Sequence, residues 1–103
     1  MTAPSLENLI QRHSETLAAA PGDAEAFEAL ESLYRESGRF EELVRLYQER
    51  SRLFTGSAAA ALLAQAGELS LRRLSDPARA EELYGRALGL GPRHPGARRA
   101  PAE

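Results

Sequence analysis

The chain repeats itself, and the period of the repeat narrows the fold more than any other feature. Residues 6–23 (LENLIQRHSETLAAAPGD) align with residues 40–57 (FEELVRLYQERSRLFTGS) at an offset of 34. Leu9 then falls on Leu43, Ile10 on Val44, His13 on Tyr47, Glu15 on Glu49 and Gly22 on Gly56. A third copy follows 37 residues later, placing Leu46 on Leu83 and Tyr47 on Tyr84. A period near 34 residues is that of stacked helical hairpins, in which each hairpin leaves a face that only its neighbour can bury. Such an array offers a surface for holding something rather than a pocket for chemistry.

The apolar spacing predicts five helices, at about 6–19, 24–37, 40–54, 58–74 and 77–90. Ser5 is the expected N-cap of the first, which Pro21-Gly22 ends, and Asp23 the expected cap of the second. Gly38 suits the left-handed position that closes a helix. Gly56 is expected to end the third helix and Ser57 to cap the fourth. Asp76-Pro77 starts the fifth, since proline is tolerated at the first helical position. Short connections imply antiparallel neighbours. Together these predict an all-α fold, antiparallel hairpins stacked as a short α-solenoid over residues 1–91. The sequence after Gly91 (PRHPGARRAPAE) reads as a flexible basic tail over 92–103.

Three partial copies of a known motif lie on these helices. The motif places a large aromatic, Leu, a small residue and Tyr on one helix. It places Ala, an aromatic, Ala and Pro on and after the next. Phe27, Leu30 and Tyr34, then Leu43 and Tyr47, follow it in the first full hairpin, with Glu31 where the small residue belongs and Arg50 and Thr55 in place of the later Ala and Pro. Ala80, Tyr84, Ala87 and Pro92 follow it in the second hairpin, with Ala66-Gly67 for Leu-Gly and a turn (LSDPARA) one residue longer than usual. Residues 6–21 look like the second helix of a preceding unit. The chain resembles the tetratricopeptide repeat family over roughly residues 5–92.

That resemblance implies a non-catalytic protein–protein interaction module, an adaptor or scaffold. The first helix of each hairpin would line a concave groove that takes an extended peptide or a helix. Carried over by position, Glu25, Glu28, Ser32, Arg35 and Glu36 would line it from the first full repeat. Ala61, Ala64, Glu68 and Arg72 would line it from the second. This is an acidic-to-neutral groove that suits a basic or amphipathic segment. It lacks the Lys and Asn residues with which co-chaperone members grip a terminal carboxylate.

The alternative is a homo-oligomeric assembly element that pairs through uncapped ends. The fifth helix carries Leu83, Tyr84, Ala87 and Leu88, more apolar surface than one neighbour covers. Charge is distributed unevenly: residues 21–49 hold eight acids against three arginines, and residues 50–103 nine arginines against five acids, for nets of −5 and +4. A basic half could meet an acidic half. The bland reading is two ordinary solvated helix faces.

The remaining residues point away from catalysis. There is no Cys, hence no thiolate ligand or nucleophile. His13 takes the place of Tyr47 and Tyr84 and is expected to pack, and His94 falls in the tail. No metal-binding spacing and no phosphate loop occur, so no cofactor is expected. Glu41-Glu42 and Glu81-Glu82 are expected to open helices, where the helix dipole favours negative charge. The acidic pI of 5.7 makes nucleic acid a poor partner. No run is long and apolar enough to span a membrane, and the first ten residues lack the pattern of a secretory signal. A cytoplasmic protein is expected. All 13 basic residues are Arg, a codon bias that suggests a bacterial source.

Overall fold

The computed structural model describes residues 5–90. They form five helices: α1 (Leu6–Ala19), α2 (Ala24–Glu36), α3 (Phe40–Ser51), α4 (Gly56–Arg72) and α5 (Pro77–Leu90). Each packs chiefly on the next in sequence, α1 on α2, α2 on α3, α3 on α4 and α4 on α5. The fold is an all-α row of antiparallel hairpins. The expected basic tail lies outside the described residues.

Local chemistry sets the helix ends. Ser5 Oγ accepts from the Asn8 N–H at 3.1 Å, and Asp23 Oδ1 from the Ala26 N–H at 2.9 Å. Each satisfies one of the N–H groups that a helix start leaves unpaired. Gly38, at φ +74°, closes α2. The Arg39 N–H then donates to the Tyr34 carbonyl at 2.8 Å and the Gly38 N–H to that of Arg35 at 3.3 Å, the paired bonds of a Schellman stop. Asp76 Oδ1 accepts from the Arg79 N–H at 3.1 Å ahead of Pro77.

Four boundaries differ from expectation, one being the end of α4 at Arg72 rather than Leu74. α2 stops one residue early, and α3 ends at Ser51 rather than Phe54. The N–H groups of Arg52, Leu53 and Phe54 each bond three residues back, tightening the chain out of the helix. α4 begins at Gly56, so that glycine opens the fourth helix, and the cap position falls on Thr55, not Ser57. The Thr55 side chain makes no capping bond.

The core follows the apolar stripes. Leu43, Val44 and Leu63 are fully buried, and Leu30, Tyr47 and Leu83 nearly so. Small residues let α4 and α5 approach closely: a Cβ on Gly67 would stand 3.3 Å from the Ala80 carbonyl oxygen and 3.4 Å from the Tyr84 ring. Ser70, where the motif has Tyr, is fully buried and bonds back to the Ala66 carbonyl at 2.9 Å. Two ion pairs brace alternate helices. Glu7, second residue of α1, pairs with Arg39 at the start of α3. Glu41, second residue of α3, pairs with Arg79 near the start of α5 at 2.7 Å. Glu7 and Glu41 are 34 residues apart, so the acidic half of the brace keeps the period, whereas Arg39 and Arg79 are 40 apart.

Candidate functional site

A cleft of about 490 Å³ opens where α2, α3 and α4 meet. α2 contributes Glu31 and Arg35, and α3 contributes Phe40 and Tyr47. α4 contributes Gln65, Glu68, Leu69 and Arg72, with Arg73 just beyond its end.

Tyr47 forms the floor, being 1% exposed. Its O–H donates a short hydrogen bond to Glu31 Oε2, and Arg35 Nη2 donates to its oxygen at 2.7 Å. The same Arg35 nitrogen lies 3.5 Å from Glu31 Oε2, closing a three-membered network. Burial pushes the Tyr47 hydroxyl well above its ordinary pKa of 10.0, and its bond to the Glu31 carboxylate adds to the shift. Arg35 acts in the opposite direction, without cancelling them. Tyr47 is therefore a fixed, neutral donor rather than a titrating group.

The rim is basic. Arg72 pairs with Glu68 at 3.4 Å on exposed surface. Arg73 lies 5.2 Å over the Phe40 ring and makes no ion pair among the described residues. The lining thus carries three arginines against two glutamates. Two of those arginines face a carboxylate already, which leaves the Arg73 charge available to a ligand.

The expected groove residues divide. Arg35, Glu68 and Arg72 line the cleft. Glu25, Glu28, Ser32 and Glu36 are exposed on α2 but do not line it, nor do Ala61 and Ala64 of α4. The acids that line this cleft are Glu31 and Glu68. On α4 the lining stripe is 65, 68, 69 and 72, shifted toward α3 from the expected 61, 64, 68 and 72. Sequence reasoning missed Glu31, Phe40, Tyr47, Gln65, Leu69 and Arg73 as lining residues. Glu31 was the one with a signal, since it stands where the motif wants a small residue.

Elsewhere, the expected open-end set also divides. Leu83 and Ala87 are buried against α4, while Tyr84 is 37% and Leu88 59% exposed. Glu81 and Glu82 lie beyond the first turn of α5, so only Glu41-Glu42 open a helix. His13 is half-buried on α1. Arg50, in place of a small motif residue, stacks 4.5 Å over Phe27 and 5.4 Å over Phe54, with Nη1 shielded and without a hydrogen-bond partner. A second cleft of about 280 Å³, between α1, α2 and α3, holds Ser14, Tyr34, Glu42, Arg45 and Glu49. Among the described residues no group of three or more His, Cys, Asp or Glu is placed to hold a metal ion.

Residues 26–53, from the first turn of α2 to just past the end of α3, match the family model described as Tetratricopeptide repeat. The α2–α3 hairpin is thus similar to a tetratricopeptide repeat. No curated protein and no solved structure matches the chain. The matched repeat carries Glu31, Arg35, Phe40 and Tyr47, four of the nine residues that line the cleft. A tetratricopeptide repeat is in general a protein-interaction unit, with proteins as its partners. Among the described residues no helix is long and apolar enough to cross a membrane.

Proposed function

We propose that the chain is a non-catalytic adaptor that holds an extended, acidic segment of another protein in the α2–α3–α4 cleft. The observation that carries this is the basic rim: Arg73 stacked on Phe40 without a carboxylate partner, beside Arg72. A carboxylate arriving there gains a charge-assisted bond without breaking an existing ion pair. Tyr47, Glu31 and Arg35 give the floor a fixed shape, which limits what the protein must order on binding. Phe40 and Leu69 supply apolar contact along the same wall. A cationic side chain at this rim would meet the guanidinium groups of Arg72 and Arg73.

The test is fluorescence anisotropy with a labelled acidic peptide of Asp, Ser and Leu, against its Lys-for-Asp counterpart. The acidic peptide binds more tightly, and added salt weakens it. Arg73→Glu weakens it by about five-fold or more, the scale of one exposed pair reversed. Equal binding of the two peptides would refute the reading.

A further inference from the structure

α4 shows what covers a hairpin in this array. Tyr47 on α3 is 1% exposed because α4 packs over α3 beside it. Tyr84 holds the corresponding place on α5, 37 residues later, and is 37% exposed. Its ring lies against Gly67, where a Cβ would come within 3.4 Å of it, so α4 holds it in place. Leu88, one turn along α5, is 59% exposed, and Leu71, one turn from Gly67 on α4, is 47% exposed. Spacings of three and four residues put these side chains on one side of each helix. They leave an apolar strip along the α4–α5 hairpin, separate from the cleft.

We propose that this strip takes a single amphipathic α-helix of a partner polypeptide, with a small, aliphatic contact face and basic flanks. The contact face is argued from α4, whose buried side between α3 and α5 is Ala59, Leu63, Ala66, Gly67 and Ser70. The size is argued from area. α5 has 14 residues, about 21 Å of helix at 1.5 Å per residue. A strip of that length and one helix width falls well short of the roughly 800 Å² per partner of a standard interface. It accommodates a helix laid along it and is too small to hold a second globular copy. The flanks are argued from charge. Glu81 lies three residues before Tyr84 and seven before Leu88, on the same side of α5, and makes no ion pair among the described residues.

The experiment titrates the isotope-labelled full chain with synthetic helical peptides and follows backbone amide shifts. The first probe copies α4, GSAAAALLAQAGELSLR, and the second carries Ala64→Lys and Gln65→Lys. Saturable shifts are expected at Gly67, Leu71, Tyr84, Gly85 and Leu88, with the second probe binding about three-fold tighter. Leu88→Arg in the chain weakens both probes by about ten-fold. Leu88 is exposed, so circular dichroism and Tm stay as in the parent. No saturable shift, shifts centred instead on Tyr47 and Arg73, or undiminished binding to the Leu88→Arg chain would each overturn the proposal. So would concentration-dependent sedimentation of the chain alone that Leu88→Arg abolishes, because that would give the strip to a second copy.

Discussion

Single side chains decide how the two hairpins differ. In the first, Glu31 replaces the small motif residue and Tyr47 bonds to it; in the second, Gly67 keeps the place and the Tyr84 ring packs on it. Tyr47→Phe removes a bond to a charged group and is expected to lower stability at neutral pH by about 1–2 kcal/mol, measured by urea unfolding. The alkaline limb adds a sign. The folded chain keeps the Tyr47 proton above its ordinary pKa of 10.0, whereas the unfolded chain releases it there. The folded state then binds more protons, so stability falls as pH rises past 10. Melting curves from pH 8 to 11 should show a shallower alkaline decline for Tyr47→Phe than for the parent. Gly67→Leu forces a branched side chain against the Ala80 carbonyl and is expected to cost about 1–3 kcal/mol.

At the scale of elements, backbone conformation leads. Gly38, at φ +74°, has open space around its Cα, so Gly38→Ala meets no clash and its cost is conformational. That cost is about 1 kcal/mol, a Tm drop of about 4–8 °C for a domain of this size. Ser75, at φ +53°, is the non-glycine counterpart in the α4–α5 turn, and Ser75→Gly is expected to raise Tm. Helix type and number were legible in the sequence because capping residues and glycines sit where the periodicity stops. The end of α3 was not: Leu53 and Phe54 continue the apolar spacing, but both are exposed, and Arg50 stacking holds Phe54 outside the helix. The cleft was legible only in part. Helical spacing shows which residues share a stripe, but a shift of one residue turns that stripe, and which side faces α3 depends on how two helices dock. Arg35, Glu68 and Arg72 were found; Arg73 belongs to a helix end whose direction follows from packing.

Across the whole molecule, stability is passed from neighbour to neighbour. α1 meets the array through α2 and buries only Ile10, whereas α3 buries five residues between two neighbours. Hydrogen exchange should therefore be fastest in α1 and slowest in α3 and α4, since local opening costs least where few contacts break. Leu63→Ala, at the fully buried centre of α4, should cost about 2–5 kcal/mol and loosen both flanking hairpins. The array then presents two separate surfaces on one rigid row, the cleft on the α3 side of α4 and the strip toward α5. The central claim is that the cleft is the surface that meets a partner. The most direct measurement maps amide shifts on the labelled chain as the acidic peptide is added. The account predicts that the largest changes cluster at Tyr47, Gln65, Leu69 and Arg73. Changes confined to α1 or α5, or a basic peptide moving the same four amides at lower concentration, would contradict it.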